Sequence, residues 1–508
     1  MKITQALKRA VCLRGDRPAL IYGDQSWSYR ELQERVARLG SLFVSYGIQR
    51  DDRIAMLSSN SDHYWCFYYG VIWSGGIMVP LNHRLSTLEL LTIVEDCQPK
   101  VLLYDSASAL KAEALGEVHP DLRLIECDAE RGLGYQETHR DAEALPPLPD
   151  QSGSSDDVAL IVYTGGTTGL PKGVMLTHTN VVSNSLNTIP YLSLSEETVQ
   201  LHVGPFFHMG AGQRIFTVTQ AAGAHVILPA FSVPDIMKTI EAHKINSMVL
   251  VPTMMKRLLD DPRRQDFDLS SLRYVSYGAA PMPEALLRRF MREFPECLLS
   301  QSYGQTECAP VATGLLHRDH LSTGPYGSKI GTVGRAVSTV EIRIGAESQG
   351  LDTGEVGEVL VRGPNVMRGY WNNPEATSST LRDGWLHTGD VGYLDDDHFL
   401  VIVDRMKDMI ISGGENVYSS EVENIISQIS GIEGCAVIGL PCEQWGEKVH
   451  AIIRGDAMSA EQIIEFCRGH LAGYKIPRSF EWLEEPFPLT STNKINKRLL
   501  KETRGGER

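Results

Sequence analysis

Residues 163–173 read Tyr-Thr-Gly-Gly-Thr-Thr-Gly-Leu-Pro-Lys-Gly. Glycines 165, 166 and 169 let backbone amides approach an anion closely. Threonines 164, 167 and 168 add hydroxyl donors, and Lys172 supplies countercharge. The combination points to a cradle for a phosphate-bearing ligand. It is neither a G-x-x-x-x-G-K-[ST] loop nor a G-x-G-x-x-G turn, because both spacings are absent. The plainer reading is a flexible hairpin between two strands, and Pro171-Lys172-Gly173 weighs against it.

The elements that must hold this loop are legible around it. Apolar runs at 158–162 and 174–176 predict flanking strands. Upstream, Ser28 with Glu31 forms a capping box, followed by Leu32, Val36, Leu39 and Phe43 at helical spacing. Strands are expected at 53–57 and 100–104, so the first ~145 residues alternate as a parallel sheet covered by helices does. Residues 145–157 are rich in Pro, Ser, Gly and Asp and predict a connector. A second α/β block is expected from about 158 to 335, then a small β-rich, barrel-like unit from 339 to 403. After Asp404 the pattern becomes α+β, with capping boxes expected at Ser420/Glu423 and Ser459/Gln462. The fold class is α/β: two helix-covered sheets and the β-rich unit within 1–403, then a small mobile α+β domain at 404–508.

Composition narrows the function classes. Of 508 residues, 42% are hydrophobic and 22% charged, as in a soluble globular protein. A net charge of −15 disfavours nonspecific nucleic-acid binding. No apolar run reaches the ~18–20 residues of a membrane span, and the amino terminus lacks a secretory pattern. Nine scattered cysteines without a C-x-x-C pair fit free thiols in a reducing compartment, so the expectation is cytoplasmic.

Five further segments, in order along nearly the whole chain, complete a resemblance to the adenylate-forming superfamily, its acyl-CoA synthetase branch in particular. Residues 163–173 resemble its signature loop, with Gly165 where Ser or Thr is usual. Tyr277-Gly278-Ala279-Ala280-Pro281 resembles the segment against the adenine. Ser302-Tyr303-Gly304-Gln305-Thr306-Glu307 resembles the stretch whose Thr306 meets the α-phosphate and whose Glu307 helps hold Mg²⁺, with Thr164 as a second oxygen ligand. Asp390, within Gly384-Trp385-Leu386-His387-Thr388-Gly389-Asp390, takes the place that grips the ribose hydroxyls. In the hinge segment 404–408, Arg405 stands near the nucleotide and Lys407 at the pivot. Lys494, in a loop 488–495 that resembles the family's terminal loop, takes the place of the catalytic lysine, preceded by Asn493 where Gly is usual.

The resemblance implies ATP, Mg²⁺ and CoA as reactants and cofactors, and a fatty or aryl carboxylic acid as substrate. The acid is converted to acyl-AMP with release of pyrophosphate, then passed to CoA. Such chemistry rests on positioning and charge stabilisation. The acid site is expected around Phe206, His208, Gly212 and Gly304, where His208 replaces the Asp of amino-acid-activating relatives. Arg214 stands six residues past His208, about 240° around a helix, and is expected to be structural or exposed. Gly413, Gly414 and Glu415 match the thiol passage, a simple Gly-Gly turn being the other reading. A carrier-protein-loading adenylation enzyme and a non-catalytic nucleotide-binding scaffold remain as alternatives. Expected partners are small molecules, with no nucleic acid and no integral membrane association; a homodimer is compatible with the resemblance.

Overall fold

The computed structural model describes residues 1–128, 142, 144–165, 171–280, 282–345, 350–456, 458–489 and 495–505. The chain divides into two compact units. One comprises Met1–Ile342 with Val361–Leu386, the other Arg343–Leu360 with His387–Arg508.

The first unit is built on two sheets. In the nine-stranded sheet the central strands run Leu298–Tyr303, Tyr274–Gly278, Ser247–Leu250, Val199–His202, Ala224–Ile227, Pro18–Tyr22. All five pairings among them are parallel. Short antiparallel strands, Thr313–Leu315 and Arg335–Ala336 at one end and Gln25–Ser28 at the other, close the edges. The seven-stranded sheet runs Gly369–Tyr370, Pro171–Thr177, Val158–Gly165, Ile77–Pro80, Arg53–Leu57, Val101–Tyr104, Arg123–Glu126.

One core joins both sheets through helices Ile3–Arg14, Tyr29–Ser45, Asp62–Trp73, His178–Tyr191 and Met209–Gln220. Asp62–Trp73 (DHYWCFYYGVIW) is apolar nearly all round and accordingly lies wholly inside, with Tyr64, Trp65, Tyr68 and Tyr69 fully buried. Helices Val233–His243, Pro252–Asp260 and Glu284–Glu293 cover the outer face of the larger sheet.

The second unit holds a sheet ordered Glu415–Val417, Ile410–Ser412, Gly446–Gly455, Ile432–Cys442, with Ser479–Trp482 added parallel to Gly446–Gly455. A further five-stranded sheet contains Glu341–Ile344, Gly357–Arg362, Trp385–Leu394 and Leu381–Arg382, with Leu400–Arg405 antiparallel to Trp385–Leu394. Among the described residues no helix is long and apolar enough to cross a membrane.

Several local expectations hold. Ser28 and Glu31 form the reciprocal capping box, with Glu31 N–H donating to Ser28 Oγ and Ser28 N–H to Glu31 Oε2. Ser459 and Gln462 do the same. The segment 145–157 is irregular and tied down, with Trp73 Nε1 donating to the Leu148 carbonyl at 2.8 Å.

Two expectations fail. The Pro18–Ser28 region joins the nine-stranded sheet, while Val158–Gly165 joins the seven-stranded one, so no block boundary at 158 separates the sheets. Nor do Ser420 and Glu423 cap a helix. The helix Ser419–Ile426 has Tyr418 at its N-cap without a side-chain bond, and Glu423 instead accepts from Val437 N–H at 2.7 Å.

Candidate active site

Strands Tyr274–Gly278 and Leu298–Tyr303 run parallel and in register, Gly278 opposite Ser302. Their loops therefore leave the same carboxyl edge side by side, where ligands of open α/β sheets bind. A Cβ on Gly278 would lie 2.3 Å from the Ser302 carbonyl oxygen, so the close approach demands glycine. The chain then turns through Ala279 with φ +64°, left-handed geometry that costs a Cβ-bearing residue on the order of 1 kcal/mol. Ala279 is exposed, whereas Tyr277 points into the core and hydrogen-bonds His320 Nε2 at 2.8 Å. On the neighbouring loop Gly304 has φ +153°, and a Cβ there would meet the Pro310 carbonyl at 2.0 Å. Tyr303 and Thr306 are half-buried, and Glu307 is buried in a short 3₁₀ turn, Thr306–Cys308.

The phosphate loop is a hairpin. Strands Val158–Gly165 and Pro171–Thr177 pair antiparallel with Thr164 opposite Lys172. Gly166, Thr167, Thr168 and Gly169 lie outside the described residues, as does Pro281. Gly165 is exposed, and a Cβ there would meet nothing among the described residues within 4 Å.

Lys172 Nζ stands 5.2 Å from the centre of the Tyr370 ring, and the Tyr370 hydroxyl donates to Glu307 Oε1 at 2.9 Å. Burial and the adjacent carboxylate raise the Tyr370 pKa, so the phenol keeps its proton and remains a donor. One tyrosine thus joins a cation of the phosphate hairpin to the carboxylate of the 3₁₀ turn. Sequence reasoning missed Tyr370. The available signal was a tyrosine in an apolar context after Gly369, whose hydroxyl needs a buried partner.

On the acid side, His208 is the N-cap of helix Met209–Gln220, its Nδ1 accepting from Gly210 N–H at 3.2 Å. The unprotonated Nδ1 leaves the ring proton of the neutral imidazole on Nε2. Phe206 is fully buried. Its N–H donates to Asn60 Oδ1 and its carbonyl accepts from the Tyr68 hydroxyl. A Cβ on Gly212 would lie 2.4 Å from that carbonyl, which fixes helix and loop together.

Of the two expected places for Arg214, structural or exposed, the exposed one fails: it is only 8% exposed, and its Nη2 donates to Ser276 Oγ at 2.8 Å. His208 caps the helix from outside, so the relevant comparison is Ala211. Three residues on, Arg214 shares the face of Ala211 and Ile215.

In the second unit Asp390 and Arg405 are cross-strand partners, with Nε and Oδ1 3.0 Å apart. Asp390 is buried at 5% exposure, and its N–H is held by Thr388 Oγ1, whose hydroxyl donates to the Val359 carbonyl. Lys407 is exposed in the turn after Arg405, where Asp408 and Met409 N–H both donate to the Arg405 carbonyl. Gly413 and Gly414, φ +64° and +84°, form a two-residue hairpin turn with Ser412 opposite Glu415. That is the geometry in which two glycines are favoured. Lys494 lies outside the described residues, together with Asn493.

Lys497 proves to be enclosed. It pairs with Glu423 at 2.7 Å and donates to Ser419 Oγ at 2.8 Å. The Ser419 hydroxyl in turn donates to Asp404 at the start of the hinge segment.

Residues 7–371 match the family model described as AMP-binding enzyme, and residues 421–494 match AMP-binding enzyme C-terminal domain. A feruloyl-CoA synthase of Amycolatopsis sp is 37% identical, the match covering 94% of each chain. An indoleacetate–CoA ligase of Aromatoleum aromaticum is 34% identical over 98% of this chain and 97% of its own. Among solved structures, o-succinylbenzoate CoA synthetase from Bacillus subtilis, in complex with its acyl-adenylate intermediate, aligns with TM-score 0.86. It is 30% identical, covering 99% of both chains.

Proposed function

The chain belongs to the AMP-binding enzyme family, and from that membership we propose how its own residues carry the reaction of an ATP-dependent acid–thiol ligase. A carboxylic acid becomes acyl-AMP with release of pyrophosphate, and the acyl group then passes to CoA. The observation that carries the nucleotide assignment is the side-by-side exit of residues 278–280 and 302–307 from one carboxyl edge. There Gly278 sits against the Ser302 carbonyl with no room for a side chain.

In this reading the adenine lies against Gly278, Ala279 and Ala280, and the α-phosphate meets Thr306 beside Ser302, Tyr303 and Gly304. Lys172 and the amides and hydroxyls of residues 164–169 hold the departing pyrophosphate. Asp390 receives the ribose hydroxyls, and Arg405, paired with it, holds the carboxylate aimed. Asp390 is thereby a buried acceptor with two oxygens for two donors.

Mg²⁺ fits the donor set. Among the described residues no three His, Cys, Asp or Glu side chains form a metal cage. Mg²⁺ characteristically takes one or two protein oxygens plus substrate phosphates. Glu307 and the Thr164 hydroxyl would supply those oxygens, and the ion would neutralise charge on the phosphates.

His208, through Nε2–H, can donate to the acid carboxylate. Phe206 and Gly212 shape the acid site through the backbone contact described above, with Gly304 at its nucleotide end. The acid is fatty or aryl. Lys494 brings the carboxylate and α-phosphate together. Lys407 is the pivot of a swing of residues 404–508 relative to 1–403, after which Gly413, Gly414 and Glu415 border the thiol path. A cytoplasmic location and a homodimeric assembly complete the proposal.

The test is product analysis with the purified protein, Mg²⁺, CoA and a panel of carboxylic acids. AMP and pyrophosphate should appear only with acid present, and thioester only with CoA. ADP and phosphate as products would overturn the reading.

A further inference from the structure

One face of the nine-stranded sheet is apolar; the other carries a polar row. Strand alternation places Ser276, Ser300 and Ser302 on the same face, Ser276 opposite Ser300 and Ser302 opposite Gly278. Above this row lies Arg214, bonded to Ser276 Oγ at 2.8 Å. Tyr191 stands alongside Arg214, Ser300 and Ser302, its hydroxyl donating to the Leu315 carbonyl at 3.3 Å. Two features of this cluster call for a ligand. Arg214 is buried, yet among the described residues no carboxylate pairs with it, and a single neutral hydroxyl does not offset a buried guanidinium. Ser302 Oγ is buried with no hydrogen-bond partner, two residues before Gly304. Burial draws the Arg214 pKa down to about 10, so the side chain still carries its charge near neutrality. His202, held down to about 3 by burial, adds no charge beside it.

We infer that Arg214, with Ser276 and Ser302, forms a subsite for an oxygen acceptor at the far end of the acid. The acid this enzyme activates accordingly carries a second oxygen-bearing group, a carboxylate foremost, in place of a plain hydrocarbon tail. The inference rests on the assignment of helix Met209–Gln220 to the acid site. Position supports it: Ser276 is two residues from Gly278, where the strand gives way to the adenine segment, and Arg214 is two residues past Gly212. Anionic acceptors gain most, since bonds between ionised groups are the stronger ones and the guanidinium fork matches a carboxylate.

The experiment measures kcat and KM for AMP release with two sets of probes. One set is phenylacetate bearing a para-carboxylate, para-hydroxyl or para-methyl group. The other is octanoate ending in the same three groups. In the parent enzyme the carboxylate or hydroxyl acid should exceed its methyl counterpart in kcat/KM by at least about tenfold, mostly through KM, because a site with buried donors rejects an analogue lacking the acceptor. Arg214→Met should reduce that ratio to within about threefold of unity while KM for ATP stays put, and Arg214→Lys should keep part of the preference. Ser276→Ala, a smaller truncation, should lower the same ratio and gives a second reading if Arg214→Met does not fold. A parent enzyme that favours the methyl acids, or variants that keep the parent ratio, would overturn the subsite and leave Arg214 a clamp between helix and sheet. Turnover without an Arg214-dependent preference rejects the subsite alone, whereas silence of every acid rejects the acid-activating assignment itself.

Discussion

The Tyr370 hydroxyl donates to Glu307 Oε1 at 2.9 Å from the two-residue strand Gly369–Tyr370, itself paired to the second strand of the phosphate hairpin. The same segment also holds Glu307 by its main chain, since Met367 N–H donates to the Glu307 carbonyl at 2.8 Å. Glu307 is thus oriented from both its side chain and its main chain. The same strand places the Tyr370 ring beneath Lys172, so the proposed metal carboxylate and the proposed pyrophosphate cation share one support.

Tyr370→Phe keeps the ring under Lys172 and removes only the bond to Glu307. Hydrogen bonds to charged groups contribute about 1.5–3 kcal/mol, so the Mg²⁺ concentration that half-saturates adenylation should rise roughly tenfold to a hundredfold. A magnesium titration of pyrophosphate release checks this. An unchanged half-saturation would detach Glu307 from the metal.

Two glycines of the nucleotide region should respond in opposite ways. Gly165→Ser meets no other described residue and restores a hydroxyl, so ATP binding and turnover should be retained or improved. Gly278→Ala forces a Cβ against the Ser302 carbonyl at 2.3 Å, which must displace one of the two loops. Its KM for ATP should rise at least about tenfold, one lost contact of ~1.4 kcal/mol sufficing. Equal behaviour of the two variants in an ATP titration would remove residues 278–280 from the nucleotide site.

Local features were legible in the sequence wherever the determinant was local. Strand Arg53–Leu57 falls on the predicted residues, because a short apolar run bounded by polar residues fixes it. The strands flanking the phosphate loop were legible for the same reason, but their antiparallel pairing as a hairpin is the reading that Pro171-Lys172-Gly173 had weighed against. Strand partnership was not: Pro18–Tyr22 pairs with Ala224–Ile227, some two hundred residues away, and no periodicity within either segment encodes that choice. The burial of Arg214 was not legible from its angle to His208, because His208 is a cap with extended backbone at φ −99°, ψ 128°. The enclosure of Lys497 was not legible, because its partner Glu423 comes from another helix.

The histidine pair at the end of strand Val199–His202 sets an acid limit on the first unit. His202 Nε2 and His225 Nδ1 are 3.0 Å apart, the rings stacked and fully buried, with Arg214 adding repulsion at His202. Burial holds His202 to about 3 and His225 well below its ordinary value. Unfolded, both imidazoles take up protons below about 6.5; folded, neither does until far lower. The unfolded chain therefore binds more protons in that window, and stability falls as pH drops from about 6.5. At pH 5.5 each ring should cost about 1.4 kcal/mol. Urea unfolding at pH 7.5, 6.5 and 5.5 checks it against His225→Gln, which should lose less over the same span. The same loss in both proteins would place the sensitivity elsewhere.

Lys494 is assigned to the first half-reaction alone, and its neighbours supply the controls. Lys494→Ala should lower adenylation on the order of 10²–10³-fold, the usual cost of one preorganised charge contact. Given preformed acyl-adenylate and CoA, the same variant should make thioester at close to the parent rate. Lys497 is unsuited as a silent control, because it pairs with Glu423 at 2.7 Å and reaches Asp404 through Ser419. Removing it leaves an enclosed carboxylate unpaired, at a cost of up to about 3 kcal/mol. Lys497→Ala should therefore lower the unfolding midpoint of the second unit and depress both half-reactions together. Arg498→Ala is the proper control, since its pair with Glu502 is solvent-exposed on one helix and contributes only a few tenths of a kcal/mol. Three variants then give three signatures: one step lost, both steps lost with stability, and neither. If Lys494→Ala instead followed the Lys497→Ala pattern, falling in both assays with a lowered midpoint, the lysine would be structural and the assignment of the 488–495 loop would have to be withdrawn.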